Sequence, residues 1–409
     1  MRNPKGFSML ALALAAPVAF AGGNDGLDTV RVPALRGDTS VDMSAGKGIT
    51  FESGGSSINV GAWVRWEYRF SGGDIQPDVG TFEFLDARFG FQGHLWSPDT
   101  KFKIYLDAAD STNLVKDAWV QQKIWANDNM KVEIRGGQQK TLYGRSETGS
   151  SSLLEFPVRG VAESTFSGLR SQGLNALLSM MENRLHVNAG VWNTSTAGGT
   201  KLTGQSEDSL NADNELNFGF GFTLDSDNEG GMSGLRYSQG DLEGAENLRW
   251  SVGGGLWVGN ESTGVEADTL GINLNGVVKI NGFHGLVEFF LRNAEVDGGT
   301  ADASATGLTV QGSYTMKNPK YTFGARYSWV NIDDDTGVNS AISLMTMANG
   351  GSSLNAANGD VTEITFMVGR YLNGHANKIL ADLTLQSVDP DTGTSIDNMI
   401  FRVQHVVKL

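Results

Sequence analysis

Residues 58–70 read INVGAWVRWEYRF. In an extended chain Ile58, Val60, Ala62, Val64, Trp66, Tyr68 and Phe70 share one face, and Asn59, Gly61, Trp63, Arg65, Glu67 and Arg69 share the other. Period two over this length defines a β-strand that is apolar on one side and charged on the other. A strand this long exceeds the usual soluble length of about 5–6 residues, whereas a tilted strand crossing a bilayer needs ~9–11. The chain must therefore place one face against something apolar and the other against water.

The pattern recurs. Phe102, Ile104, Leu106 and Ala108 alternate with Lys103, Tyr105 and Asp107, and Met130, Val132 and Ile134 alternate with Lys131, Glu133 and Arg135. Further on, Phe218, Phe220 and Phe222, then Tyr321, Phe323, Tyr327 and Trp329, face away from glycine, asparagine, threonine or charge. Strands are expected near 58–70, 82–95, 101–109, 115–126, 130–138, 171–180, 184–193, 215–224, 248–259, 270–280, 283–293, 306–316, 320–330, 361–372, 378–388 and 398–408. A two-sheet sandwich rarely uses so many strands of this length, and a closed barrel removes the exposed edges. Short turns such as Asn127-Asp128-Asn129, Asn281-Gly282 and Asn373-Gly374 alternate with long polar connections, as in outer-membrane barrels. The connection at 225–247 is too long for that rhythm and has room for a further pair of short strands. The fold class expected is all-β: a transmembrane antiparallel β-barrel of about sixteen strands.

Residues 1–21 have the three parts of a signal peptide: Arg2 and Lys5, an apolar run from Met9 to Val18, and Ala19-Phe20-Ala21. Its removal would change the formal charge from −15 to −17. Residues 22–57 are polar, glycine-rich and without period, which suggests a periplasmic lead-in to a barrel domain at 58–409. No later segment reaches the ~18–20 continuous apolar residues of a membrane helix. The acidic balance argues against nucleic acid as a partner. The histidines, His94, His186, His284, His375 and His405, have no metal-ligand spacing, and no nucleophile elbow or phosphate-binding loop is present, so neither a metal, a cofactor nor an enzymatic reaction is expected. Aspartates at 225–229 and 389–397 lack a full calcium-loop ligand set and read as solvated turns.

Between 139 and 170 the alternation stops. These residues carry Lys140, Arg145, Arg159 and Arg170 together with Leu153, Leu154, Phe156, Val158 and Val161, enough apolar surface to pack against a wall. They form the third external connection, and folding into the lumen would make them its constriction. Arg65, Arg69, Arg88, Lys103 and Arg135 fall on polar faces of the preceding strands. A cation on the lipid face would cost about 2–4 kcal/mol at the midplane, so these side chains are expected to line the pore.

Three stretches resemble the phosphate-selective outer-membrane porins, the O and P porin family. Residues 85–93, LDARFGFQG, are similar to its paired-arginine strand, and Lys116-Asp117-Ala118-Trp119-Val120 is similar to its aspartate-alanine-aromatic strand. Gly137-Gln138-Gln139-Lys140, Ser151-Ser152 and Phe156-Pro157-Val158-Arg159 resemble its long loop. Two positions depart: Asp86 stands where arginine is usual, and Leu409 ends the chain where phenylalanine is usual. The resemblance implies a passive diffusion porin for small hydrophilic solutes, anion-preferring, homotrimeric and embedded in outer-membrane lipid. The competing reading is an outer-membrane adhesin or structural barrel that binds a partner through long acidic loops.

Overall fold

The structure, a computed structural model, describes residues 39–74, 79–110, 114–141, 143–166, 170–193, 216–227, 238–262, 266–296, 302–318, 320–334, 358–391 and 393–409. The signal-peptide stretch lies outside them. Among the described residues eighteen strands form one antiparallel sheet. They are β1 (Ser40–Ser44), β2 (Gly48–Ser53), β3 (Ser56–Gly73), β4 (Val79–His94), β5 (Thr100–Asp107), β6 (Val115–Ala126), β7 (Met130–Lys140), β8 (Arg170–Met180) and β9 (Leu185–Asn193). There follow β10 (Leu216–Asp225), β11 (Arg249–Ser262), β12 (Glu266–Ile280), β13 (Phe283–Val296), β14 (Asp302–Thr315), β15 (Tyr321–Asp334), β16 (Gly359–Asn373), β17 (Asn377–Pro390) and β18 (Ile396–Lys408).

Strands β3 to β18 close a sixteen-stranded barrel, because β18 pairs back onto β3 with Arg402 opposite Arg69 and His405 opposite Trp66. Within the lead-in, β1 and β2 form a hairpin whose second strand pairs with the start of β3, Ile49 opposite Val60. Closure leaves no unpaired edge in the bilayer.

Val64, Phe220, Phe323 and Phe366 point outward and remain exposed, whereas Glu67, Asp86, Glu288, Arg326 and Glu363 point inward and are buried. That inversion is stable only if the medium outside is apolar. The connection of β12 to β13 is the two-residue turn Asn281-Gly282, both residues at positive φ (49° and 89°), as a tight hairpin requires. The long connection between β10 and β11 holds no further strand among its described residues, 226–227 and 238–248. Within it, the side chains of Ser238 and Gln239 bond to the inward Lys279 and Gln311.

The wall is uneven. Strand β5 has 8 residues and β9 has 9, whereas β12 and β16 have 15 each. Register shifts interrupt the β3–β4, β5–β6 and β6–β7 pairings. A fourth lies in β16–β17, between Tyr371 and Asn373; such irregularities re-aim side chains, and three of the four fall within β3–β7.

Candidate functional site

The inner face of β3–β8 carries a connected charge network. Asp86 pairs with Arg65 at 2.6 Å and also with Arg88. Arg88 donates from Nε to Asp107 at 2.8 Å. Asp117 pairs with Lys103 at 2.9 Å and Arg170 at 3.2 Å, and Glu133 with Lys101 at 3.1 Å and Lys131 at 2.9 Å. Arg69 lies 3.5 Å from Glu83. Three carboxylates are thus each shared by two cations, which leaves this wall with more positive than negative partners. Aromatic rings seat several of the cations: Arg88 lies 5.1 Å over Trp63, Lys103 4.7 Å over Tyr105, and Arg135 4.4 Å over Trp119. Arg135 also donates to Gln121 at 2.8 Å. All five expected wall cations, Arg65, Arg69, Arg88, Lys103 and Arg135, belong to this face. Arg170 opens β8 and joins them.

The connection between β7 and β8 forms two single-turn helices, α1 (Arg145–Thr148) and α2 (Val161–Thr165), with a 3-10 turn at Ser151–Leu153. Its polar groups bond to inward residues of distant strands. Glu288 on β13 accepts from the backbone of Arg145, from Ser146 N at 3.2 Å and from Ser146 Oγ at 2.7 Å. Glu363 on β16 accepts from Val161 N at 2.9 Å, and Ser328 on β15 from Ala162 N at 3.0 Å. Lys378 on β17 donates to Ser152 O at 2.9 Å and to Leu154 O. Arg326 donates to Val158 O at 2.7 Å, and Gln404 and Arg65 to Pro157 O at 3.1 Å each. Glu155 meets His284 at 2.9 Å and accepts from Ser313.

Apolar contacts complete the seat. Phe166 stacks on Phe290 at 5.1 Å, and Val161, Ala162 and Phe166 are buried with Val330, Ile332 and Val361. Phe156 is 1% exposed under Arg326, whose guanidinium carbon lies 4.7 Å from the ring centre. Tyr143 donates to Ile272 O at 3.1 Å, and burial pushes its hydroxyl pKa up, so it stays protonated.

Two of the loop cations, Lys140 and Arg159, bind backbone within the loop. Lys140 donates to Gly149 O at 2.5 Å, Arg159 to Ser146 O at 3.0 Å and Gly149 O at 3.3 Å, and Arg145 to Ser251 Oγ at 2.9 Å. Lys140 and Arg159 therefore close the loop on itself, while Arg145 ties it to β11. The wall residues that hold the loop, Glu288, Lys378, His284, Arg326 and Glu363, are ones that sequence reasoning does not single out. Their signal is inward parity on strands whose other face is Phe, Val and Leu. Among the described residues no group of three or more His, Asp or Glu side chains could hold a metal ion.

The family model of phosphate-selective porin O and P matches residues 58–338. No curated protein matches the chain in sequence. Among solved structures, the outer membrane channel DcaP of Acinetobacter baumannii superposes with a TM-score of 0.59 at 14% identity, covering 89% of this chain and 100% of that one. An anion-selective porin from Comamonas acidovorans gives 0.55 at 12% identity, with 86% and 99% covered. The trimer form of OmpT from Vibrio cholerae gives 0.53 at 12% identity, with 86% and 99% covered. At these identities the likeness is one of fold.

Proposed function

Because the chain belongs to the phosphate-selective porin O and P family, we propose that it is an anion-preferring diffusion porin whose solute path runs between the β3–β8 wall and the loop at 139–170. As a member of that family it is a porin of the Gram-negative outer membrane, and its barrel fold is that of a channel. One observation carries the anion preference: Asp86, Asp117 and Glu133 are each shared between two cations. A small anion meeting this strip finds donors whose carboxylate partners are already divided. In a narrow waist the effective dielectric falls below that of water, so each fixed charge counts for more than on the rim.

Support for an inward loop that narrows the channel comes from its bonds to β3, β11, β13 and β15–β18. Passage is passive, with no reaction at the wall. The same reading includes export through residues 1–21 and assembly as a homotrimer in outer-membrane lipid, the latter supported by the trimeric OmpT fold relative. The test is the reversal potential of purified protein in a planar bilayer across a salt gradient. An anion-directed sign is expected, and a cation-directed sign would overturn the preference.

A further inference from the structure

We propose that residues 238–245, in the connection between β10 and β11, form a strap that holds the tip of the β7–β8 loop from the periplasmic side, with Gln239 as its positioning residue. This rests on the reading that the loop bounds the solute path.

Turns on the periplasmic rim of such barrels are short, and this connection is not. Its described residues run back to the loop tip. Gln239 N donates to Leu153 O at 3.0 Å, and Gln239 Oε1 accepts from Glu155 N at 3.0 Å and from Gln311 Nε2 at 3.2 Å. Gln239 O accepts from His375 Nε2 at 3.0 Å. One buried glutamine thus joins the loop tip, the β14 wall and the β16–β17 turn. Gly240 sits at φ 77°, and a Cβ there would lie 3.2 Å from Glu155 Oε1, so the strap passes directly against that carboxylate.

The strap has its own anchors. Lys279 donates to Ser238 O at 3.0 Å. Asp241, also buried, accepts from Gly282 N at 2.7 Å and from Ala245 N at 3.0 Å, and Ala245 O accepts from Asn281 N at 2.7 Å. The strap is therefore fixed to the β12–β13 hairpin, while its other side fixes Leu153 and Glu155. Wall bonds such as Lys378 to Ser152 O hold the tip laterally, and the strap stops it dropping towards the periplasm.

The chain has no cysteine, so Leu153→Cys with Gln239→Cys gives a single disulfide joining loop and strap. Single-channel recordings of this variant should be quieter when oxidised than after reduction. Gln239→Ala, with normal heat-modifiable mobility, should release the tip about tenfold more often, read as open-channel noise and a lower closing voltage at unchanged reversal potential. Gln239→Asn, which keeps an amide, should restore part of the quiet state. If a 145–160 deletion raises conductance while neither the disulfide nor Gln239→Ala changes noise or closing voltage, the strap proposal is wrong and the loop reading stands. Unchanged conductance after that deletion would remove the loop reading, and the strap with it.

Discussion

Asp86 lies 2.6 Å from Arg65 and pairs on its other oxygen with Arg88. It stands where the resembled family has an arginine, and its buried carboxylate makes one shared anion out of a position that would otherwise add a third cation. Removing one partner of a buried ion network costs about 3–5 kcal/mol, because the remaining charges stay desolvated. Asp86→Asn should lower the temperature at which the barrel unfolds on gels and move the reversal potential further towards anions. A folded variant with the wild-type potential would mean that Arg65 and Arg88 do not face the solute path.

The outward set makes a separate prediction. Val64, Phe220 and Phe323 are 38%, 45% and 52% exposed on the lipid side. Arginine at any of them should cost about 2–4 kcal/mol near the midplane and block assembly. Asn59→Arg, on the inner side near the rim, should assemble. Thr309 also points inward, but it is fully buried against Ser328 beneath α2, and Thr309→Arg should fail by overpacking. Outer-membrane fractions in which all five variants are equally abundant would refute the side assignment.

Parity is legible in sequence because each strand states its own two faces. Ile58 to Phe70 need no partner to reveal which side is charged, and all sixteen expected strands occur in the barrel within a few residues. The loop is legible as a break in that period. Its seat is not: Lys378 and Ser152 are 226 positions apart, and nothing local in either says they meet. The same holds for Gln239, which lies in an aperiodic connection and gains its role only when closure brings β14 and the β16–β17 turn beside it. The loop cations illustrate the limit differently. Lys140 and Arg159 are recognisable as cations in a loop, but their bonds to Gly149 O depend on turns that composition does not specify.

His375 gives a pH dependence. It lies in the turn between β16 and β17, donates from Nε2 to Gln239 O, and accepts at Nδ1 from Lys378 Nζ at 3.1 Å, with Tyr371 edge-on at 5.3 Å. Burial first, then Lys378, with Lys279 and Lys408 adding to it, holds its pKa well below the ordinary value. Where strap and turn separate, the ring regains a pKa near 6.5 and binds a proton more readily than when docked. The docked state is therefore fully favoured above about pH 6.5 and loses stability as pH falls below it. Acidification to about pH 5 should increase open-channel noise, and His375→Gln should flatten that response. An equal acid response in His375→Gln would assign it to another group.

On β9 and β10 the wall is built of glycines around a buried indole. Trp192 on β9 is 1% exposed and lies against Trp257, ring centres 5.4 Å apart. It lies flat because its neighbours are glycines. A Cβ on Gly190 would come 2.4 Å from the indole Cη2, and one on Gly219 would come 2.7 Å from Cζ3. In Gly219→Val the added Cβ thus forces the indole to shift, and the displaced ring is expected to turn into the lumen. The backbone at Gly219 is ordinary extended strand, so the change strains packing without breaking the β9–β10 ladder. No charge is altered, so conductance should fall while the reversal potential stays put. That separates it from the Asp86 variant, which moves the potential. Trp192→Ala removes the obstruction at a cost of about 3–5 kcal/mol in packing, and combined with Gly219→Val it should restore conductance. A folded Gly219→Val barrel that conducts as wild type would show that the indole has room elsewhere and that this wall does not bound the path.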